Sequence, residues 1–341
     1  MEIIGATNWK EAVSADEAER FERYASELRS LQRNRARGAE PSRGLHAKAH
    51  VGVVGELVVP EGLPEALRVA VFAEPRTWPV YVRFSNGTGK RRPDAVPDVR
   101  GIALKLVGVP GRKLIPGLED KRTQDFLLIP APTMPIRTPG EFVSLVKAAE
   151  NPSLLLPRLL GAFGLGTFSL LKRLAASPRV MSMLSTPFYT TLPLRFGATA
   201  AKLALFPEAP VQAPTELGSA DALREELITR LRTGPLAWSL RAQLFVDEQT
   251  TPIEDPTVRW PEDRAPFHEV ARLVLPQQDV TSIKGQKLGE YVERLSFDPW
   301  HAVEELRPLG AMMRARAIAY RESVIERKAI PEPDEMVDFG D

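Results

Sequence analysis

Five short apolar runs between residues 51 and 129 constrain the fold of this chain more than any other feature of the sequence. Each run is rich in valine, isoleucine, leucine or phenylalanine, and glycine, proline and aspartate separate one run from the next. Such runs are typical of β-strands, and they cover 51–59, 67–73, 80–85, 99–109 and 123–129. Because no long helical pattern interrupts them, the sequence predicts an antiparallel meander or barrel and not a parallel sheet.

Helical and strand-like segments share the rest of the chain. Residues 14–37 combine an N-cap serine, early acidic residues and a basic end, which predicts a solvent-exposed helix. Residues 139–176 and 297–329 are helical in pattern, and further strands are predicted at 195–206, 236–247 and 267–275. The predicted fold class is α+β, with an antiparallel β-barrel of about eight strands, helical insertions and a C-terminal helix. We assign residues 1–39 to an N-terminal helical arm and 40–341 to a single domain.

Composition excludes several classes of site. The 341 residues carry a net charge of +1, which provides no basic surface for nucleic acid. The absence of cysteine excludes disulfides, thiolate metal sites and iron–sulfur clusters. The N-terminus shows no basic stretch followed by an apolar one, so no secretory signal is visible and we expect a cytoplasmic protein.

The most apolar stretch of the chain is 153–171. Pro157, Arg158 and three glycines interrupt it, which makes it marginal as a membrane span. We predict a buried or surface-packed helix here. A weak contact with a membrane or a lipid is the alternative.

Two of the four histidines, His46 and His50, stand four residues apart in the sequence RGLHAKAHVG. A zinc site would need a third ligand, and this stretch offers no carboxylate. If the segment is extended, His46, Lys48 and His50 share one face. His46 is therefore a metal ligand, a catalytic base or a histidine at the start of a strand.

Arg316 and Tyr320 lie four residues apart in RARAIAY, a spacing that stacks their side chains on one face of a helix. The positive charge of the arginine favours the phenolate form of the tyrosine. Tyrosine is one of the few axial ligands of haem iron. The alternative is an ordinary helix with a half-buried tyrosine and solvated arginines.

Arginines also accompany the predicted strands, at Arg43, Arg83 and Arg100. An arginine near a buried strand needs an anionic partner, because an unpaired buried charge is costly. The carboxylates or phosphates of a bound cofactor could serve, and so could Asp94 or Asp98 of the chain itself.

Together these segments resemble the haem catalase family. Its pattern runs R-x-x-H-A-K-G, V-R-F-S, D-P-R-G-F-A-V-K-F, T-P-x-F-F and R-x-x-x-Y, and this chain reads RGLHAKA, VRFSN, DVRGIALKL, TQDFLL and RAIAY in the same order. The segments starting at 251 and 297 look like the short catalase-related peroxidases in particular. The resemblance spans roughly residues 40–328 and implies a haem b cofactor and a catalase-like barrel whose C-terminal helix carries the iron ligand.

The resemblance also implies roles for individual residues. His46 matches the histidine that takes a proton from a peroxide and returns it during cleavage of the O–O bond. Ser85 matches the serine that orients this histidine. Tyr320 matches the iron ligand and Arg316 the arginine that keeps it a phenolate. The positions that bind the haem propionates match Arg43, Arg83 and Arg327, whereas Lys48 and His50 receive no role.

The chain departs from the family on the peroxide side of the site. Large catalases carry an asparagine five residues before the first phenylalanine of T-P-x-F-F, and the residues near that position here are Lys121, Arg122 and Gln124. Leu127 replaces the second phenylalanine, and Met134 stands where an aromatic residue is expected. Oxidation of a second hydrogen peroxide should therefore be less efficient than in a catalase.

We therefore predict a haem-dependent peroxidase that reduces hydrogen peroxide or organic hydroperoxides, with an organic electron donor as partner. One alternative is an enzyme that transforms lipid hydroperoxides, such as an allene oxide synthase, a lyase or an isomerase. A non-catalytic haem- or lipid-binding barrel is a further alternative, which the distal histidine disfavours. A homodimer is compatible with the sequence.

Overall fold

Nine strands and seven α-helices make up the part of the chain that the computed structural model describes, residues 3, 5–36, 43–209 and 211–340. The strands are β1 (Ala49–Val59), β2 (Arg76–Asn86), β3 (Arg100–Val107), β4 (Thr123–Leu128), β5 (Phe188–Tyr189), β6 (Leu194–Phe196), β7 (Thr199–Pro207), β8 (Leu236–Leu244) and β9 (Phe267–Leu275). The helices are α1 (Glu17–Ala36), α2 (Pro139–Ala149), α3 (Leu155–Phe163), α4 (Gly166–Ala175), α5 (Ala222–Thr233), α6 (Ile283–Arg294) and α7 (Ala311–Glu326).

Eight of the strands form an antiparallel sheet that closes almost completely into a barrel. Their order is β4-β3-β2-β1-β9-β8-β7-β5, and β6 pairs with β7 beside this path. The two end strands meet where Ile129 and Tyr189 exchange backbone hydrogen bonds of 2.8 and 2.7 Å. The predicted α+β class with an eight-stranded antiparallel barrel is therefore confirmed.

The two faces of the barrel wall have different surroundings. In β2, Val82 and Phe84 point inward and join the main apolar core. Because successive side chains of a strand alternate, the intervening Arg83 and Ser85 lie on the outer face. A site that uses these two residues must therefore lie outside the barrel, between its wall and the helices.

Helices α1 and α7 pack against each other outside the wall. Arg33 forms an ion pair of 2.6 Å with Glu326 across the contact, and Phe21 and Ala25 of α1 are buried. The predicted helix at 14–37 is confirmed, but its expected solvent exposure is wrong for the face that packs on α7. The boundary that we placed between residues 39 and 40 lies outside the described residues.

Residues 67–73 do not form the predicted strand. They contain the short 3-10 helix Ala70–Phe72, the end of a second one at Leu67, and a positive φ of 48° at Ala70. Val71 and Phe72 are buried in the main core. The run is apolar because this loop packs its side chains into the core, and apolar composition alone does not distinguish a buried loop from a strand.

The predicted C-terminal helix begins later than expected. Residues 297–310 are irregular apart from the 3-10 helix Glu304–Leu306, and α7 starts at Ala311. Pro299 and Pro308 fall in this stretch, and proline lacks the N–H group that a helix interior requires.

Two helices are absent from our sequence prediction. In α5, Leu223, Leu227 and Leu231 are buried at a spacing of four residues, which is a clear helical signal. In α6, Leu288 and Val292 repeat this spacing. The second of these helices contributes to the site described below.

The apolar stretch 153–171 forms α3 and α4, which are separated by Gly164 and Leu165. Among the described residues, no helix has the length and apolar character needed to cross a membrane. The prediction of surface-packed helices is confirmed here, since Leu159 and Leu170 are buried while much of both helices is exposed.

Candidate active site

A cavity of about 610 Å³ lies between the outer face of the barrel wall and the helices α1, α2 and α7. This volume falls in the range of cofactor and ligand pockets, roughly 300–1,000 Å³. The register of the wall brings Ser85 opposite Gly101 and Ala103 opposite Leu127, so alternate residues of three strands form one side. One face of α7 forms the opposite side, through Met312, Ala315, Arg316, Ala319, Tyr320 and Ser323.

All seven residues that the sequence predicted for the site line this one cavity. They are Arg43, His46, Arg83, Ser85, Arg316, Tyr320 and Arg327. They come from three separate parts of the chain, residues 43–46, β2 and α7 with its C-cap, and span 284 positions from Arg43 to Arg327. The fold therefore brings together the residues that the sequence motifs marked, although it does not by itself test the role of each.

His46 occupies a fixed and strained position at the start of the wall. Its φ is +56°, a value that is rare for residues other than glycine and is found most often at functional sites. Its Nδ1 lies 3.0 Å from Ser85 Oγ, and its carbonyl accepts a hydrogen bond of 2.8 Å from Arg83. Burial, followed by the positive charges of Arg83 and Arg316, lowers the pKa of His46 to about 3. The imidazole is therefore neutral at physiological pH.

Lys48 and His50 lie elsewhere. Lys48 Nζ forms a buried ion pair of 2.7 Å with Asp94, and His50 Nε2 lies 2.8 Å from Asn86 Oδ1. A bulge at the start of β1 separates His50 from the face that carries Ser85. The expectation that His46, Lys48 and His50 share one face is wrong for His46, because the backbone turns at its positive φ, whereas Lys48 and His50 both approach Asp94, at 2.7 and 3.9 Å.

Arg316 and Tyr320 form a hydrogen-bonded pair on α7. Arg316 Nη2 donates to the phenol oxygen of Tyr320 at 2.7 Å, and the guanidinium carbon lies 5.0 Å from the centre of the ring. The helical spacing predicted from the sequence is present, and it aims an oxygen donor and a cation into the cavity.

Three arginines meet at the C-terminal end of α6. Arg43 donates to the carbonyl of Leu295 at 2.6 Å, and Arg327 to the same carbonyl at 2.8 Å. Cations are favourable at this end of a helix because unpaired carbonyls and the helix dipole face them. Arg83 Nε lies 2.8 Å from the carboxylate of Glu293, which is also 3.6 Å from Arg43.

These arginines carry more positive charge than their surroundings neutralise. Burial and the neighbouring guanidinium groups lower the pKa of Arg43 well below its usual value, and burial lowers that of Arg327 to about 10. The buried Nε of Arg43 has no hydrogen-bond partner. Burial opposes ionisation of Glu293, but Arg83 and Arg43 overcome it and keep its pKa below the usual value. An anionic ligand would complete this cluster.

Phe297 lines the cavity beside a buried charge cluster. Lys105 Nζ and Arg43 each lie 5.7 Å from the centre of its ring. Lys105 forms ion pairs of 2.8 Å with Asp125 and 2.5 Å with Glu332. Burial opposes the charge of Lys105, but the two carboxylates overcome it and raise its pKa. The cluster ties the C-terminal segment to the barrel wall and supports this end of the cavity.

The three candidates for the missing distal asparagine are wrong. Lys121 pairs with Asp334 at 3.1 Å, and Arg122 donates to the carbonyl of Gly108. Gln124 is buried, and its Oε1 accepts a hydrogen bond from the backbone of Val303. None of the three lines the cavity. Gln124 does not reach the cavity because its side chain lies on the inward face of β4, whereas the outward-facing Leu127 lines the cavity.

Sequence reasoning missed Glu293 and Gly101. The position of Glu293 depends on α6, which the prediction did not include. A side chain at Gly101 would place its Cβ 2.7 Å from His46 Cε1 and 2.9 Å from Nδ1, so only glycine leaves room for the imidazole. The sequence signal was the glycine inside the strand motif VRGIALKL, since a glycine in a strand often marks a close approach.

The fold is that of the catalases, as comparison with solved structures shows. A fungal catalase superposes with a TM-score of 0.68 at 19% identity, over 86% of this chain and 61% of the other. Catalase A from Saccharomyces cerevisiae gives 0.67 at 16% identity over 96% and 68%, and a bacterial catalase gives 0.63 at 20% identity over 97% and 64%. The chain thus spans about two thirds of the length of these catalases, or slightly less. No family model and no curated protein matches the sequence.

The residues of the cavity fit a flat, largely apolar cofactor with an anionic edge. The arginine cluster, in which Arg43, Arg83 and Arg327 share the single charge of Glu293, would bind carboxylates. The phenol of Tyr320, hydrogen-bonded by Arg316, would provide an oxygen ligand for a ferric ion. Ile102, Leu127, Met134 and Leu192 add apolar contacts around the space between.

Proposed function

We propose that the protein is a haem-dependent peroxidase of the catalase-related type, which cleaves the O–O bond of hydrogen peroxide or organic hydroperoxides. One observation carries the proposal. The hydrogen-bonded pairs His46–Ser85 and Arg316–Tyr320 face the same cavity, one from the barrel wall and one from α7. A proton-transfer group and a haem-ligand group are thus placed around one space. The catalase fold is consistent with this arrangement but, at the identities above, does not establish the activity.

In this proposal Tyr320 binds the iron of haem b as a phenolate, and Arg316 stabilises its negative charge. Arg43, Arg83 and Arg327 bind the two propionates, which would supply the anionic partners that the cluster lacks. Haem iron, when bound, supplies the redox chemistry of peroxide cleavage. The chain itself holds the cofactor, orients the peroxide and moves the proton.

His46 moves the proton. When Nδ1 carries its hydrogen and donates to Ser85 Oγ, the other ring nitrogen, Nε2, keeps its lone pair. This nitrogen accepts the proton of the hydroperoxide O–H group and returns it to the oxygen that leaves as water or an alcohol. A histidine with a pKa of about 3 stays unprotonated, as this role requires. Ser85 and the strained backbone at His46 limit rotation of the ring.

The reaction type follows from the lining of the cavity. Among the described residues that line it there is no asparagine, and β4 contributes only the apolar residues Leu127 and Leu128. A second hydrogen peroxide would find few hydrogen-bond donors to hold it in place. Bulky hydroperoxides, or peroxide with an organic electron donor, are therefore better substrates than two molecules of hydrogen peroxide.

The experiment compares three activities of the haem-loaded protein. Oxygen evolution from hydrogen peroxide, oxidation of an organic donor and loss of a fatty-acid hydroperoxide are measured side by side as kcat/KM. We expect the kcat/KM for oxygen evolution to be about 10²-fold lower than the larger of the other two values, because a misplaced reactant costs about this much in rate. Oxygen evolution near the diffusional ceiling of about 10⁸ M⁻¹s⁻¹, with negligible donor oxidation, would identify a catalase instead.

An enzyme that rearranges lipid hydroperoxides is the second candidate. It is favoured by the apolar residues that extend the cavity toward α2 and the helices beyond, namely Phe142, Val143, Leu145, Val146, Leu155 and Leu174. Such a surface suits an acyl chain. The two candidates differ in their need for a donor. Loss of hydroperoxide at the same rate with and without an electron donor indicates rearrangement, whereas donor-dependent loss indicates a peroxidase.

Replacing Gly101 by alanine should slow the reaction without removing the cofactor. The new methyl group would overlap the His46 imidazole, which must rotate away from Ser85. Loss of alignment at this level can cost about 10²-fold in rate. The measurement is the rate of the absorbance change after the haem-loaded variant is mixed with a hydroperoxide. Gly289→Ala is the matched control, because a Cβ there meets nothing within 4 Å. A parent rate in Gly101→Ala would show that the imidazole does not depend on this glycine.

A further inference from the structure

The helices α3 and α4 expose an unusual amount of apolar surface. Leu154, Leu156, Leu160, Leu165 and Phe168 are between 41% and 87% exposed. They are five of the ten large apolar side chains that are exposed in the described part of the chain. We call these five residues the α3–α4 surface. Isolated exposed apolar residues need no explanation, but a contiguous group often marks an interaction site.

The opposite face of the same two helices is apolar as well. Leu159 and Leu170 are buried in a cluster that includes Met312 at the start of α7. Leu155 and Leu174 line the candidate active-site cavity. Helices that are apolar on both faces separate the cavity from the outside of the protein.

The charged residues of α3 and α4 have one sign. From residue 151 to residue 207 the sequence contains no aspartate or glutamate. Arg158 of α3 donates to the carbonyl of Lys147, and Arg173 of α4 donates to the carbonyl of Pro135 and to a serine hydroxyl. Their positive charges thus face uncharged oxygens. Lys172 is exposed and follows Phe168 by four residues, which places it on the same side of α4.

We propose that the α3–α4 surface docks onto a lipid bilayer with anionic headgroups and that hydroperoxides of membrane acyl chains reach the cavity from there. Exposed leucine and phenylalanine beside lysine and arginine are the composition of helices that lie in the membrane interface. Anionic headgroups attract such cations. The docking itself is independent of the cofactor, whereas the substrate class rests on the proposed function.

Vesicle binding tests the docking. The full chain is sedimented with vesicles of phosphatidylcholine alone and with vesicles that also contain phosphatidylglycerol. We expect the parent to bind the anionic vesicles and salt to weaken this binding. The variant with Phe168→Ser and Lys172→Glu should bind these vesicles with at least about tenfold lower affinity. The matched control is Ile283→Ser combined with Lys287→Glu on α6. That pair has the same spacing, with Ile283 74% exposed, and should bind as the parent does.

Two results would overturn the docking proposal. One is equal binding of the two double variants, or no binding of the parent to anionic vesicles. The other is a parent protein that does not bind vesicles but sediments as a dimer, combined with a Phe168→Ser, Lys172→Glu variant that sediments as a monomer. In that case a second copy of the chain covers the surface.

A second measurement tests the substrate class separately. Turnover of a phospholipid hydroperoxide in anionic vesicles is compared with turnover of a small soluble hydroperoxide. We expect the α6 control to retain both, and the α3–α4 variant to lose at least about tenfold on the vesicle substrate only. Equal loss on both substrates would contradict delivery from the membrane. Failure of the parent on both substrates would reject the proposed function, while the binding data alone decide the docking.

Discussion

Tyr320→Phe should bind haem at least about 100-fold more weakly than the parent protein. The substitution removes a single oxygen, the one that accepts a 2.7 Å hydrogen bond from Arg316 and faces the cavity. Changes that affect only the surroundings of a metal ligand already cost about 10- to 100-fold in metal affinity. Loss of the ligand itself should cost at least as much. The measurement is a titration of the apoprotein with haem, followed by the Soret absorbance.

The phenylalanine variant has a matched control in Tyr24→Phe. Tyr24 also lines the cavity, from α1, but has no arginine on its hydroxyl among the contacts of the described residues. This control should load haem as the parent does, with an unchanged spectrum. A Tyr320→Phe protein with full occupancy and the parent Soret band would remove Tyr320 as the ligand, whatever its effect on turnover.

The arginine cluster supports the bound cofactor of our proposal over a purely structural role. A chain that needed these residues only for stability would be expected to pair each buried guanidinium with a carboxylate. Here three guanidinium groups share the single charge of Glu293, and the buried Nε of Arg43 lies 3.6 Å from that carboxylate without a hydrogen bond. In our proposal, the propionates of haem would relieve this electrostatic cost.

The barrel was predictable from sequence because its strands carry a local signal. The runs at 51–59, 80–85, 99–109 and 123–129 each alternate or stay apolar over the length of a strand, and turn residues bound them. The run at 67–73 failed because a buried loop has the same composition as a strand. Helix α6 was missed, and with it Glu293, although Leu288 and Val292 carry a helical spacing.

The candidate residues of the site were predictable as a set, but their surroundings were not. Arg43, His46 and Ser85 lie in sequence segments that match the family pattern, and the fold brings them to one cavity. Which residue stands beside His46 depends on strand register. A shift of one position along a strand moves a side chain to the other face of the sheet. Lys121 and Arg122 precede β4 and Gln124 falls on its inward face, so none of the three positions found by counting along the chain reaches the cavity.

His46→Ala should leave haem binding intact and slow the reaction with hydroperoxide by about 10²- to 10⁴-fold, the usual contribution of a general acid–base group. The imidazole is held by Ser85 and lies on the wall of the cavity, so its removal opens space without touching Tyr320 or the arginine cluster. Stopped-flow absorbance after mixing with hydroperoxide gives the rate. His268→Ala, on the half-exposed strand β9, is the matched histidine control and should react at the parent rate.

The pH profile separates a catalytic His46 from one that only fills space. A base works when unprotonated, and activity is lost as the pH falls through its pKa. Because burial and three neighbouring arginines, Arg83, Arg316 and Arg43, lower the pKa of His46 to about 3, the parent rate should be constant from pH 5 to pH 8. An ordinary histidine would give an inflection near its unperturbed pKa of about 6.5.

Ser85→Ala should lower the rate and keep the flat profile, since the arginines that depress the pKa remain. If the parent profile shows an inflection near pH 6.5 and His46→Ala removes it, the imidazole is exposed to water and does not lie in the buried environment described here. A parent rate in His46→Ala would show that the proton moves by another route.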